Sequence, residues 1–314
     1  MGANSELQIQ MNEESVQSEY YNLIGRLQRK EETLSYSSLK EFGKSPRNFI
    51  SYKLSPRREQ SESQIFGSLV DCLITEPENY DKLFCIVDNT PSTDNQKGFC
   101  ADVINGDDSE TAFKKNYSRG KHEELMQQFS DYIDAVKSNK TCITNKTKEE
   151  AEKIVEGLKN SPLVMQYIDS CNLFQNKREW SYKGWKFKGF TDAEGHRIII
   201  DLKYTSNADP EMFERDIIKY DYFMQMGMYA ASEEGLPECF FIAYDKTGNY
   251  SVIKLDYTLI SYGIRKYQYL VEKLNQCIKE NRFNESYNFF DVQLRTAYKP
   301  KWAKGFETDA LDVE

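Results

Sequence analysis

Histidine is scarce in this sequence, and its cysteines are not arranged for metal binding. The 314 residues include two histidines, His122 and His196, which excludes a site built from several imidazoles. The seven cysteines are scattered, odd in number and contain no Cys-x-x-Cys pair. This usage predicts reduced thiols in a cytoplasmic compartment, with neither a zinc ribbon nor a disulfide framework.

Long apolar runs are also missing. No stretch approaches the roughly 20 apolar residues of a membrane helix, and the N-terminus lacks the apolar core of a signal peptide. A hydrophobic content of 39% and a charged content of 29% are typical of a soluble globular protein without a membrane partner. The net charge of −9 argues against a protein that coats nucleic acid non-specifically.

The residues best suited to chemistry surround a β-branched run. Ile198, Ile199 and Ile200 predict a strand buried on both faces. Asp201 and Lys203 follow two residues apart, so their side chains point the same way. Asp192 comes before the run, at the predicted end of the preceding strand, and a hairpin turn over residues 193–196 would bring it to the same place.

Two carboxylates can hold a hard divalent cation, and a neighbouring lysine can stabilise negative charge or orient a water molecule. The alternative is a plain ion pair between Asp201 and Lys203 at the end of a strand.

A second acid interrupts an apolar segment. Residues 65–74 predict a helix with Asp71 in its middle and Gly67 one turn earlier. The glycine would allow a backbone to approach while the acid points the same way. Such an aspartate is either a ligand or half of an ion pair. Further along, Gln225 and Tyr229 share one face of a predicted helix, where they either reach the site or only pack against the sheet.

Basic residues are unevenly distributed along the acidic chain. Two clusters of basic residues stand out, and each could be either part of a phosphate-binding groove or a solvated face. Both clusters are expected beside the candidate site, which favours the groove. The first cluster comprises Lys40, Lys44, Arg47, Lys53, Arg57 and Arg58 against Glu41, and the second comprises Lys177, Arg178, Lys183, Lys186 and Lys188 against Glu179.

The element order predicts an α/β fold. Helices come first, followed by three strands, a helix, two strands and a final helix, which indicates a mixed central sheet flanked by helices. We expect a polar N-terminal extension (1–33) and one domain (34–281), with a helical part (34–170) and a sheet core (171–281). The tail (282–314) would dock on its own domain or on a neighbour. Residues 88–118 predict either partly helical structure or a mobile functional loop.

The order of these motifs resembles the PD-(D/E)XK nucleases, and within them the exonuclease VIII-like (RecE-type) and RecB-type domains. Asp192 followed by Asp201-Leu202-Lys203 resembles the defining motif, and Gln225-x-x-x-Tyr229 resembles the helical motif after it. Residues 34–39, with Pro46 and Phe49 behind them, resemble the Leu-Ser-x-Ser-x-Leu opening of that group. Residues 67–71 match its Gly-x-x-x-His helix except that Asp71 replaces the histidine, which either supplies an oxygen ligand or marks a site that has lost a ligand and is weakened.

The resemblance implies a role for each matching residue. Asp192 and Asp201 would bind Mg²⁺ or Mn²⁺, as two ions, with the Leu202 carbonyl and Asp71 as further ligands. Lys203 would position or help deprotonate the attacking water. Gln225 and Tyr229 would hold the DNA. Glu179, on the first strand of the sheet, and Arg47, as a cation for a 5′-phosphate, are weaker candidates. Relatives with an iron–sulfur cluster have a cysteine where this chain has Ser45, so no cluster is expected.

The same resemblance implies a biological setting. It suggests a phage or prophage recombination exonuclease in a bacterial cytoplasm that digests double-stranded DNA ends from 5′ to 3′. The product strand would pass to a single-strand annealing protein, and the nuclease would form a ring-like homo-oligomer. Two alternatives stay open: a non-cleaving DNA-binding or assembly protein on the same fold, and a structure-specific endonuclease.

Overall fold

The computed structural model describes residues 17–55, 60–233 and 235–290. The first elements are helix α1 (17–28), strand β1 (Thr33–Leu34), helix α2 (Tyr36–Lys44) and helix α3 (Pro46–Leu54). Next come α4 (Glu62–Thr75), α5 (Tyr80–Leu83), β2 (Phe84–Ile86), α6 (Asp94–Ile104), α7 (Ser109–Asn116), α8 (His122–Lys137), β3 (Thr141–Ile143), α9 (Asn145–Lys159) and α10 (Pro162–Ile168). The last are β4 (Cys171–Tyr182), β5 (Trp185–Gly195), β6 (Ile198–Thr205), α11 (Pro210–Lys219), α12 (Tyr222–Ala230), β7 (Glu238–Asp245), β8 (Tyr250–Lys254) and α13 (Tyr257–Glu280).

Local capping residues explain where several helices begin. Ser35 caps α2, and its side chain and that of Ser38 form a reciprocal capping box. Asp209 caps α11 with proline in the first turn, as the Asp-Pro pair predicts. Asp256 caps α13, which ends at Asn281 in a left-handed conformation. Short capping patterns in the sequence therefore account for the starts of these three helices.

The main sheet is mixed, and its central feature is a fork beside β5. Strand β4 pairs antiparallel with β5 along one edge. On the opposite edge, β1 pairs with Lys186 and Phe187, whereas β6 pairs with residues 193–195. Strand β6 then continues parallel to β7, and β8 completes the sheet. Residues 188–192 therefore border a gap between β1 and β6, into which side chains from the helices can reach.

Apolar side chains bury both faces of this sheet. On one face, Ile199 and Phe241 pack with residues of α2, α3, α12 and α13. On the other, Ile200 and Leu202 pack with residues of α4, α9 and α10. Burial on both faces was predicted from the isoleucine run. At about 1.5–3 kcal/mol for each large apolar side chain, the two layers hold the strands that carry Asp192 and Asp201 in place.

Residues 88–118 are largely helical, which resolves the choice left open by the sequence. Helices α6, α7 and α8 have a small core of their own, centred on Phe99, Val103 and Phe129. Strands β2 and β3, which flank this helical insertion, form a separate parallel pair.

The folded region extends beyond both predicted domain boundaries. Leu23 and Leu27 of α1 are buried in the core, although the sequence suggested a polar extension up to residue 33. Their spacing of four residues places them on one helix face. Phe283 and Phe289 of the predicted tail are buried in the same core, and the ring of Phe289 packs edge-on against Phe42. The rest of the predicted tail, from residue 291, and the predicted extension before residue 17 lie outside the described residues. Within the described ranges, no helix is long and apolar enough to span a membrane.

Candidate active site

Asp192 lies inside β5 rather than at its end. The strand continues to Gly195, and the turn to β6 is formed by His196 and Arg197. Asp192 therefore faces β6 directly: its Oδ2 accepts a hydrogen bond of 2.7 Å from the backbone amide of Leu202. The predicted proximity to Asp201 holds, but strand pairing produces it, not a turn that begins after Asp192.

Asp201 and Lys203 form a buried ion pair on β6. The Lys203 ammonium contacts Asp201 Oδ2, and the side chains are 3% and 20% exposed for Asp201 and Lys203, respectively. Lys203 also lies 5.1 Å from the centroid of the Tyr222 ring. The lysine thus has an anionic partner and an aromatic neighbour, and remains partly accessible to solvent.

Gln225 and Tyr229 reach the site from α12. The Gln225 amide donates to Asp201 Oδ1 at 2.9 Å and to the Tyr229 hydroxyl at 3.1 Å. The sequence suggested one helix from residue 210 onward, but Asp221 has a φ of +62° and separates α11 from α12. This break turns the helix that carries Gln225 toward the sheet.

Close backbone contacts fix the position of α12. A Cβ atom added to Gly263 would lie 2.1 Å from the carbonyl oxygen of Phe223, so α13 can approach α12 only through glycine at this point. A Cβ atom at Gly189 would lie 2.4 Å from the ring of Tyr229. Glycine at these two positions therefore allows Tyr229 to sit against β5.

Asp71 comes to the site from α4. Its Oδ1 accepts a hydrogen bond of 2.9 Å from the Tyr244 hydroxyl, which also donates to the Gly67 carbonyl at 3.2 Å. The close backbone approach predicted at Gly67 is not observed, because a Cβ atom there would make an ordinary van der Waals contact of 3.4 Å with the side chain of Tyr204. Asp71 borders a surface depression of about 310 Å³, which connects it with solvent.

Burial and mutual repulsion disfavour the charged forms of the three acids. Burial raises the pKa of Asp71 well above its ordinary value, and the charge of Asp192 adds to this. Burial, followed by the charge of Asp201, raises the pKa of Asp192 to about 7. Burial also raises the pKa of Asp201, although the Lys203 ammonium opposes the shift. Three carboxyl groups therefore share one ammonium.

In contrast to the three acids, the Lys203 amine is held in its charged form. Burial alone would lower its pKa, but the charges of Asp201 and Asp192 outweigh burial and hold the pKa above its ordinary value. Lys203 is therefore a cation at neutral pH and acts as an electrostatic group and hydrogen-bond donor.

The donor set fits a divalent cation in its chemistry. Within the described ranges, no three acidic, histidine or cysteine side chains already close around a common point that could hold a metal ion. However, Gln225 Oε1 is buried without a hydrogen-bond partner, and Asp201 Oδ2 has no partner there beyond its ion pair with Lys203. Carboxylate and amide oxygens of this kind are the ligands that Mg²⁺ and Mn²⁺ favour.

Residues 35–287 match the family model described as a PDDEXK-like domain of unknown function (DUF3799). The chain belongs to this family. Its fold is similar to the crystal structure of a candidate exonuclease from Eubacterium rectale, with a TM-score of 0.51, 14% identity, and coverage of 87% of this chain and 93% of that one.

The crystal structure of an alkaline exonuclease (LHK-Exo) from Laribacter hongkongensis also matches, with a TM-score of 0.27, 14% identity, and coverage of 60% of this chain and 97% of that one. No curated protein matches. The match of residues 35–287 to the PDDEXK-like family model confirms the predicted PD-(D/E)XK relationship.

Two weaker sequence candidates do not reach the PDDEXK-like site. Glu179 projects from the outer face of β4, is exposed and forms an ion pair of 2.8 Å with Lys177. Glu179 lies on the same side of the hairpin as Gln175, which contacts Asp192, but it is four residues farther along β4, about 13 Å away. The Arg47 guanidinium donates to the carbonyl of Asn284 at 2.8 Å and so fastens α3 to the C-terminal segment. Of the first basic cluster, Arg57 and Arg58 lie outside the described residues.

Sequence reasoning missed three residues around the site. Gln175 donates to Asp192 Oδ1 at 3.3 Å, Tyr244 holds Asp71, and Tyr36 donates to the backbone of Tyr220 beside α12. The Lys183-Gly184 pair is a turn sequence, and counting the antiparallel register back from it pairs Gln175 with Asp192, so this contact could have been found. Tyr36 and Tyr244 carried no signal beyond aromatic residues in a motif and an apolar strand.

Proposed function

We propose that this protein is a metal-dependent deoxyribonuclease that hydrolyses phosphodiester bonds. The observation that carries the proposal is the convergence of Asp71, Asp192 and Asp201 with Lys203 at the fork in the sheet of a PDDEXK-like chain. Three buried carboxyl groups with one compensating ammonium are costly for a purely structural site. A divalent cation would remove that cost.

Asp192 and Asp201 would be the main ligands, with Asp71 and the Leu202 carbonyl completing an oxygen-only set for Mg²⁺ or Mn²⁺. When bound, two such ions supply an acidified water and neutralise charge on the phosphate and leaving oxygen. The hydrogen bond from the Leu202 amide to Asp192 holds one carboxylate in a fixed orientation. The Tyr244 hydroxyl does the same for Asp71.

Lys203 and α12 would act directly on the substrate. With a cation held beside Asp201, the Lys203 ammonium would be able to donate to the attacking water or to a phosphate oxygen. Gln225 fixes Asp201 through one amide hydrogen and Tyr229 through the other, and so holds the phosphate-binding side of the site. These side chains come from a helix packed on the sheet, which gives the precise placement that hydrolysis requires.

The mode of digestion is inferred from the motif set. The RecE-type order of motifs favours an exonuclease that digests double-stranded DNA ends from 5′ to 3′. A homo-oligomeric ring and a single-strand annealing partner in phage-type recombination belong to the same proposal. Asp71 in place of the family's histidine favours Mg²⁺ over the more nitrogen-tolerant Mn²⁺.

Two substrates test the proposal. Purified protein is incubated with Mg²⁺ and an end-labelled linear duplex, and with the same DNA as a closed circle. We expect loss of the linear substrate, survival of the circle, and no digestion by Lys203→Ala or in the presence of EDTA. Absence of digestion by the wild-type protein would favour a non-cleaving DNA-binding protein, and digestion of the circle would favour an endonuclease.

A further inference from the structure

The hairpin of β4 and β5 has an exposed face that leads to the candidate site. Three cross-strand pairs form this face, which we call the hairpin face: Lys177 with Phe190, Glu179 with Lys188, and Ser181 with Lys186. All six residues are exposed, whereas Trp185 and Phe187, which alternate with them on β5, are fully buried. The second basic cluster of the sequence is thus partly collected on one open surface.

The charges on the hairpin face are unequal. Glu179 is paired with Lys177 at 2.8 Å. Among the described residues, Lys186 and Lys188 form no ion pair or hydrogen bond, and their ammonium groups are free for an external anion. The face is therefore positively charged in a chain whose net charge is −9.

Phe190 continues the row of lysines toward Asp192. Its side chain is 53% exposed, which is unusual for a large aromatic residue in the middle of a strand. Alternate residues of a strand lie about 6.6–6.8 Å apart on one face, so Lys186, Lys188, Phe190 and Asp192 follow one another in a line. A row of phosphate groups bound along this line would end at Asp192, whose carboxylate accepts a hydrogen bond from the Leu202 amide.

We infer that the hairpin face binds an unpaired segment of the DNA strand beside the position of hydrolysis. Lys186 and Lys188 contact successive phosphates, and the ring of Phe190 stacks on a base next to Asp192. A positively charged track with an exposed aromatic ring is the arrangement that binds single strands without sequence preference. The identity of the ligand rests on the proposed nuclease function.

The test measures binding without cleavage. Fluorescence anisotropy of a labelled oligothymidylate is recorded in EDTA over a series of salt concentrations. We compare wild-type protein with Lys186→Ala/Lys188→Ala and with the matched control Lys97→Ala/Lys279→Ala, which removes two exposed lysines outside the hairpin face. Each phosphate contact contributes about 0.7 to the slope of log affinity against log salt. We expect the hairpin variant to lose about 1.4 from that slope and the control to lose nothing.

Phe190 has its own pair of variants. Phe190→Ala should weaken binding at least about fivefold with an unchanged salt slope, whereas Phe190→Trp should stay within about twofold of wild type. Equal slopes for both double lysine variants would show that the lysines are only solvated and would overturn the inference. Loss of duplex digestion in all proteins, with the expected binding pattern intact, would contradict the proposed hydrolysis but leave the binding surface in place.

Discussion

Two buried clusters of charge lie within the same sheet, and they differ in how their charges are balanced. In the first, Arg178 donates to Glu194, to Ser232 Oγ at 2.9 Å and to Glu233. Glu194 also accepts from Asn176 at 3.2 Å and from Thr191. In the second, Asp71, Asp192 and Asp201 share Lys203.

The two clusters differ in how completely their buried polar groups are hydrogen-bonded. The Arg178 cluster links β4, β5 and the end of α12 through a network of hydrogen bonds, as buried charges require. Beside the Lys203 cluster, Gln225 Oε1 is buried without a hydrogen-bond partner among the described residues, and the pKa of each acid in the cluster is raised. This excess of buried acids over ammonium groups is the feature on which the proposed cation site rests.

The largest expected effect is on catalysis, when an acid of the Lys203 cluster is changed. Asp201→Asn removes a charge needed for a divalent cation, so digestion of a linear duplex should fall by about 10³-fold or more. Thermal stability of the metal-free protein at pH 8 should be unchanged or higher, because a buried carboxylate is no longer forced to ionise. Circular dichroism and the melting temperature serve as the folding control. A variant with near wild-type digestion would contradict the assignment.

A change in the Arg178 cluster should instead lower stability and leave catalysis nearly unchanged. Arg178→Met leaves Glu194 buried without its charge partner, so the free energy of unfolding should fall by about 3–5 kcal/mol in urea titrations. Digestion per folded molecule should remain within about twofold of wild type, since Arg178 does not contact the candidate site. If stability were unchanged and catalysis lost, the distinction between the two clusters would be wrong.

Protons should compete with Mn²⁺ for the acids of the Lys203 cluster. The pKa of Asp192 is raised to about 7, and a protonated carboxyl group cannot bind a cation. As pH falls below about 7, the affinity for Mn²⁺ measured by calorimetry should therefore drop up to about tenfold per pH unit for each proton displaced. A flat profile between pH 6 and 8 would be inconsistent with the raised pKa.

The same raised pKa has a defined effect on stability. Because the folded-state pKa of Asp192 lies above its unfolded value, its stabilising contribution is present below pH 4 and is lost as pH rises toward 7 and above. The metal-free protein should thus lose stability over this window, and saturating Mn²⁺ should restore it by binding only the folded state.

The smallest effect concerns the choice of metal. Asp71→His introduces the nitrogen ligand that the resemblance leads one to expect, so the ratio of Mn²⁺-supported to Mg²⁺-supported digestion should rise several-fold. Asp71→Asn is the matched control, because it keeps an oxygen that can accept from Tyr244 and should not raise the ratio.

Local patterns predicted much of the fold and of the candidate site. The isoleucine run specified a doubly buried strand, and the i, i+4 spacing placed Gln225 and Tyr229 on one helix face. The contact of that face with Asp201 became clear only in the structure. Capping pairs such as Asp209-Pro210 specified helix starts. Each of these depends on neighbours a few residues apart, and periodicity carries that information.

Contacts between residues far apart in the chain could not be predicted from such local patterns. The fork beside β5, the kink at Asp221 and the bond from Tyr244 to Asp71 depend on elements far apart in the chain. Arg47 and Glu179 were candidates from the resemblance, but the Arg47 guanidinium bonds to the carbonyl of Asn284 and Glu179 pairs with Lys177 farther along β4. The burial of Leu23 and Leu27 was not predicted, because the apolar face of α1 is short and the residues around it are polar.

The most direct test of the central claim is anomalous X-ray diffraction from crystals soaked with Mn²⁺. The account predicts anomalous peaks bordered by carboxylate oxygens of Asp192, Asp201 and Asp71, with Lys203 displaced from Asp201. Crystals without a peak at saturating Mn²⁺, in which the ion pair between Lys203 and Asp201 persists, would contradict it.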